Sequence, residues 1–225
     1  MVALTAWDTG QAAGPVDTTP VVARTAGADD TRALAGALAS LCRVGDVVLL
    51  AGDLGAGKTT FAQGFGRALG VVERITSPTF TLVQQYPCED PVVRTVLHAD
   101  VYRLDHLSEV VDVGLSELVE DGAVALVEWG DVVAPVFGEG TLVVRLEAGR
   151  SDSADSADSA DTAGTDPVAD DAVDEPRLVT VSAGSGNSAG AGTGTNAAPD
   201  AADTGLWAHR WPEVRRALEP WAVRP

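Results

Sequence analysis

Residues 46–60 read Asp-Val-Val-Leu-Leu-Ala-Gly-Asp-Leu-Gly-Ala-Gly-Lys-Thr-Thr. The run Asp46–Ala51 has the length of a strand and lacks the apolar/polar alternation of a half-solvated sheet. It predicts a strand buried on both faces, as in a parallel sheet. From Gly52 to Thr59 the chain fits G-x-x-x-x-G-K-[ST], and a helix is expected from Lys58 to Leu69, stopped by Gly70. In that context the glycines let successive backbone N–H groups curl inward, and together with the helix N-terminus they hold a polyphosphate. The ammonium of Lys58 reaches the β- and γ-phosphates, and the Thr59 hydroxyl is a Mg²⁺ ligand. The chain has 14 Arg but a single Lys, Lys58. A compact ammonium fits inside a backbone nest, whereas a planar guanidinium does not.

Working outward, apolar residues Leu34, Ala35, Leu38, Leu41 and Cys42 recur at helical spacing over Asp29–Arg43, with Asp29 or Asp30 as cap and Gly45 as stop. Thr79–Tyr86 and Val92–His98 are β-rich, Leu107–Glu120 is helical with a break near Gly114, and Ala123–Glu128 is a second buried strand. Thr141–Glu147 and Arg177–Ser182 are strand-like. Strands alternating with helices around a buried sheet give an α/β fold. The expectation is a P-loop NTPase-like three-layer sandwich, its mixed, mostly parallel sheet carrying helices on both faces.

The flanks differ in composition. Residues 1–20 lack periodicity and read as a disordered tail. Residues 149–176 carry a Ser/Ala/Asp tract with a three-residue beat that suits neither helix nor strand, and too little apolar surface to offset chain entropy. Lying between two strand-like segments, this tract reads as an expanded hairpin loop, which loop-closure entropy tolerates. Residues 183–204 read as a flexible Gly/Ser/Ala linker. The expected organisation is a P-loop domain over 21–182, then the linker, then a terminal segment over 205–225. That segment holds Trp207, Trp211 and Trp221, with Pro212 in the first turn of a helix and Val214, Ala217 and Leu218 on one face. Two readings stand for it: a helix packed on the domain, or a tethered partner-binding segment.

The formal net charge is −18. Nine of the acids fall in 151–175 with no base among them, and the remainder of the chain still stands at −9. This balance argues against a protein that grips nucleic-acid backbone by itself. Two cysteines, Cys42 and Cys88, without a CxxC pair exclude a disulfide framework and a cysteine-based zinc site. Met1–Gln11 shows no secretory pattern and no run approaches the ~20 residues of a membrane span, so a cytoplasmic location is expected.

A phosphate loop of this kind needs a further acid for metal and water. Glu128 closes the apolar run Val124–Val127, where such an acid sits beside the loop strand. Asp100, in His98-Ala99-Asp100-Val101-Tyr102-Arg103, is a second candidate, and either could instead be a surface acid at a strand end. His98 is given no proton-transfer role. Guanine recognition through Asn-Lys-x-Asp is excluded, because the asparagines are Asn187 and Asn196, both in the linker, and there is no second Lys. Adenine is therefore the expected base.

Four segments taken together, Gly52–Thr60, Ser77-Pro78-Thr79-Phe80-Thr81-Leu82, His98–Leu104 and Val127-Glu128-Trp129-Gly130, closely resemble the bacterial TsaE (YjeE) family over roughly residues 24–182. The resemblance implies a small ATPase, slow alone, required for the threonylcarbamoyl modification of adenosine 37 in tRNAs reading codons that begin with A. It implies action as an ATP-dependent switch on a TsaD–TsaB pair, with tRNA met only through that complex and no membrane partner. Carried over by position, Gly55, Ala56, Gly57, Lys58, Thr59 and Thr60 hold the phosphates. Thr59 and Glu128 hold Mg²⁺, and Asp100 lies close to the γ-phosphate; Lys58, Glu128 and Asp100 form the catalytic set. Ser77–Thr81 acts as a switch loop, Trp129 supports the site, and Thr31 and Arg177 approach the base end. The Arg177 alignment depends on the hairpin reading of the acidic tract.

Two other classes compete. A P-loop small-molecule kinase shares sheet and loop, but its lid over the acceptor usually bears Arg, and the insert here holds none until Arg177. A non-hydrolysing nucleotide-dependent adaptor keeps Lys58 and Thr59 and has no need of Glu128.

Overall fold

The computed structural model describes residues 17–78, 82–101, 119, 122–129, 140–149, 175–184 and 207–224. Four expectations fall mostly outside them: the tail 1–20, the acidic tract 149–176, the linker 183–204 and the helical stretch Leu107–Glu120. So do Thr79–Thr81 of the switch segment.

Seven strands form one sheet: β1 (Val21–Thr25), β2 (Val47–Ala51), β3 (Val83–Pro87), β4 (Thr95–Asp100), β5 (Ala123–Glu128), β6 (Thr141–Ala148) and β7 (Arg177–Ala183). Their spatial order is β1-β7-β6-β2-β5-β4-β3. The four central strands β6, β2, β5 and β4 are parallel, while β3, β7 and β1 join through antiparallel pairs at the two edges. β2 and β5 are buried at every position, as their unbroken apolar runs predict for the middle of a parallel sheet. Helix α1 (Ala28–Ala39) and helix α2 (Lys58–Ala68) pack side by side on one face. There Leu34, Leu38, Phe61 and Phe65 meet Val48, Leu50, Leu126 and Val144. On the other face Val47, Leu49, Leu97, Ala125 and Val127 are equally buried and gather Val101 and Val119. The fold is a mixed α/β sheet of the P-loop NTPase kind.

Local chemistry moves several boundaries. Helix α1 stops at Ala39 rather than Arg43, because the amides of Leu41 and Cys42 turn to the i−3 carbonyls of Leu38 and Ala39. Its N-cap is Gly27 rather than an aspartate; Asp30 instead reaches back to accept the Ala26 N–H at 2.8 Å. β4 starts at Thr95, not Val92, because Asp90 Oδ1 accepts the N–H groups of both Val92 and Val93 and holds them in a turn. Asp100 therefore belongs to the strand. β1 escaped the sequence reading, although Val21, Ala23 and Thr25 alternate inward in the strand manner.

The carboxyl end packs. After a 3₁₀ turn, Trp207–Arg210, helix α3 (Trp211–Leu218) lies against α1 and β1, with Trp207, Trp211, Val214 and Leu218 fully buried and Ala217 half-buried. The Trp211 indole donates to the Thr19 carbonyl, the Val223 N–H donates to the Val22 carbonyl, and Ala222 bridges to Ala23. Burial, reinforced by the Asp46 carboxylate, pushes the nearby Cys42 thiol well above its usual value, and burial also raises Cys88. Both thiols are thus kept protonated and poorly nucleophilic. No described helix is long and apolar enough to cross a membrane.

Candidate nucleotide site

The glycine loop leaves the carboxyl end of β2 and enters α2 at Lys58. Gly52, Gly55 and Gly57 all have positive φ, at 134°, 81° and 103°. A Cβ on Gly52 would run into the backbone carbonyl oxygen of Leu146, and one on Gly57 would stand 2.7 Å from Nε of Arg177 and push that side chain aside. The spacing of the glycines therefore reflects backbone twist and close approach together. The first turn of α2 contains no acidic side chain, so nothing of its own neutralises the positive end of the helix dipole.

Lys58 is only 5% exposed. Its Nζ donates to the carbonyls of Gly52 and Asp53 at 2.8 and 2.9 Å, and lies 4.3 Å from the centre of the Trp129 ring. Trp129 is the one described non-glycine residue with positive φ, 61°. That costly turn directly after β5 brings the indole back over the lysine. The ammonium is thus held over the loop by two carbonyls and an aromatic face.

The acids sit where neighbouring strands end. Register pairs Leu50 of β2 with Glu128 of β5, and Glu128 with Asp100 of β4, so both carboxylates lie on the helix-covered face at the end of the sheet that carries the loop. Glu128 is 4% exposed, and its Oε1 accepts the Thr59 hydroxyl at 3.3 Å. The two sequence-predicted metal ligands, 69 residues apart, are in contact. This donor set suits Mg²⁺, which takes hard oxygens, one or two from side chains, and leaves its other positions to phosphates and water. Among the described residues no three His, Cys, Asp or Glu side chains form a metal cage, and a site of this composition needs none.

Arg177 is buried on the first position of β7, donates to the Glu175 carbonyl at 3.0 Å, and lays its guanidinium against Gly57. Register sets Thr25 of β1 opposite it. The Thr25 hydroxyl is 2.9 Å from that of Thr31, which also donates to the Gly27 carbonyl. Thr31 is fully buried and bonded to Thr25, the strand neighbour of Arg177, so its hydroxyl faces no open space. The residue that sequence reasoning set aside is His98. Its Nε2 lies 3.0 Å from the Glu128 Oε1, and neither side chain reaches solvent appreciably. Alternation along β4 carried the signal, since His98 and Asp100 share a face and Asp100 pairs with Glu128.

A family model described as threonylcarbamoyl adenosine biosynthesis protein TsaE matches residues 25–155. The Bacillus subtilis protein named tRNA threonylcarbamoyladenosine biosynthesis protein TsaE is 44% identical over 93 residues, which cover 41% of this chain and 56% of that protein. The chain thus spans little more than half the length of that relative. A Treponema pallidum protein of the same name is 41% identical over 119 residues, covering 53% of this chain and 85% of its own. The crystal structure of YdiB from Bacillus subtilis superposes with a TM-score of 0.53 at 27% identity, over 74% of this chain and 86% of that one. With more than half of its residues matched by the family model, the glycine loop and Glu128 among them, this chain belongs to the TsaE family.

Proposed function

We propose that the chain is a Mg-ATP-dependent P-loop ATPase serving the threonylcarbamoylation of adenosine 37 in tRNAs that read A-starting codons. In this reading it works as a nucleotide-driven switch on a TsaB–TsaD partner complex and meets tRNA only through that complex. The observation that carries it is the Thr59–Glu128 contact at 3.3 Å beside a nest of three left-handed glycines. A loop that merely capped a helix would have no use for a buried carboxylate aimed at its Thr.

Each residue has a distinct job. The N–H groups of 55–60 and the start of α2 bind the phosphates. Lys58 exchanges the carbonyls of Gly52 and Asp53 for phosphate oxygens, while Trp129 keeps the ammonium over the loop. Bound magnesium supplies neutralisation of phosphate charge. Glu128 and Thr59 hold that ion, and Asp100 lies on the adjacent strand within the same end of the sheet. The Arg177 guanidinium serves the nucleotide end of the site, with Thr25 and Thr31 on the adjacent elements beside it. An acidic surface suits a helper that leaves the RNA to its partners.

Glu128→Gln preserves shape and hydrogen-bonding capacity but removes the charge. ATP affinity measured in EDTA should stay within about threefold of wild type, while steady-state hydrolysis with Mg²⁺ falls roughly 10²-fold or more, the usual cost of losing a charged group aligned with the reacting phosphate. Turnover equal to wild type would remove Glu128 from the catalytic set, and equal turnover at the uncatalysed rate would favour the non-hydrolysing adaptor instead.

A further inference from the structure

We propose that His98 is a positioning residue that fixes the Glu128 carboxylate for the metal ion. This rests on the Mg-ATP reading above. Glu128 is nearly inaccessible, and a buried carboxylate needs donors. Its Oε1 has two: the Thr59 hydroxyl from α2 at 3.3 Å and Nε2 of His98 from β4 at 3.0 Å. The shorter of these contacts comes from a ring with no exposed surface, on a strand held between β5 and β3. Among the described residues Nδ1 of His98 has no hydrogen-bond partner. A buried N–H without an acceptor costs more than a buried lone pair, so the ring proton sits on Nε2, facing the carboxylate.

The Thr59 hydroxyl is itself a metal ligand in the proposed site; it binds an ion through an oxygen lone pair while its proton stays directed at Glu128, so the two donors act together. His98 supplies the shorter contact, 3.0 Å against 3.3 Å, and comes from β4 rather than α2, so two separate elements pin the rotamer of Glu128. The contact to Oε1 leaves Oε2 as the oxygen uncommitted to either donor. An imidazole bonded to a ligating carboxylate orients it, and loss of such outer partners typically weakens metal affinity about 10–100-fold.

The test separates orientation from mere packing. Mn²⁺ is titrated into full-length protein saturated with ADP, and free Mn²⁺ is followed by electron paramagnetic resonance; ADP affinity is measured separately in EDTA. His98→Gln, whose amide nitrogen reaches the place of Nε2, should bind Mn²⁺ within about threefold of wild type. His98→Asn, whose amide falls at the place of Nδ1 and short of Glu128, should bind it at least about tenfold more weakly. ADP affinity in EDTA should be unchanged in both. Equal Mn²⁺ affinity in His98→Asn and wild type overturns the positioning role, as does equal weakening in both variants, which is the signature of a packing residue. Failure of the wild-type protein itself to take up Mn²⁺ with ADP overturns the nucleotide–metal reading on which the proposal stands.

Discussion

Lys58→Ala should abolish measurable ATP binding at nucleotide concentrations that saturate the wild-type protein, with the melting temperature nearly unchanged. The side chain is almost wholly enclosed, between the carbonyls of Gly52 and Asp53 and the ring of Trp129. A phosphate docking there gains a charge-assisted bond in a screened pocket, and truncating one partner of such a pair costs about 2–5 kcal/mol. That corresponds to a loss of roughly 30- to several thousand-fold in affinity. Lys58→Arg should not restore binding, because a planar fork cannot enter the space a point charge occupies. Isothermal titration with ATP and Mg²⁺ reads both variants. Affinity within threefold of wild type in Lys58→Ala would remove the lysine from the site.

The second large effect lies far from the loop. Arg210→Ala should destabilise the protein by about 3–5 kcal/mol, the cost of stranding a buried charge. Arg210, just before α3, is 3% exposed and grips Asp46 in a two-pronged pair at 2.7 and 2.6 Å. It also donates to the Leu41 carbonyl at 2.7 Å and stacks on Trp207, 4.0 Å from the ring centre. Asp46 in turn accepts the Arg43 N–H at 2.7 Å and opens the approach to β2. The pair therefore ties the carboxyl-terminal segment to the strand that leads into the glycine loop. Chemical denaturation of Arg210→Ala, Asp46→Asn and the double variant should reveal strong coupling between the two positions. A change below 1 kcal/mol in Arg210→Ala would mean that the segment is a loosely held appendage after all.

What could be read in advance follows from how local each signal is. The strand–glycine–lysine sequence of 46–59 specifies its own conformation, so β2, the loop and α2 lie within a residue or two of expectation. Glu128 was legible because an apolar run ends on it. Its nearness to Thr59 was expected from the resemblance, which pairs the two as metal ligands; the hydrogen bond between them was not, since it depends on β5 pairing directly with β2. Helix α1 ended early through i−3 hydrogen bonds that apolar periodicity does not encode, and β4 slid because a single side chain, Asp90, captured two amides. His98 opens one of the four resembling segments, but that segment assigns it no task; only Glu128, on the neighbouring strand, does. The tail's grip was hidden for the same reason. Arg210 and Asp46 are 164 residues apart, and nothing near either marks the other as its partner.

The most direct test is a crystal structure with Mg²⁺ and a non-hydrolysable ATP analogue. The account predicts the triphosphate on the N–H groups of 55–60, the ion between Thr59 and Glu128, and Lys58 Nζ moved from the Gly52 and Asp53 carbonyls to a phosphate oxygen. Nucleotide bound elsewhere, or a lysine still closed onto those carbonyls at saturating analogue, would contradict it.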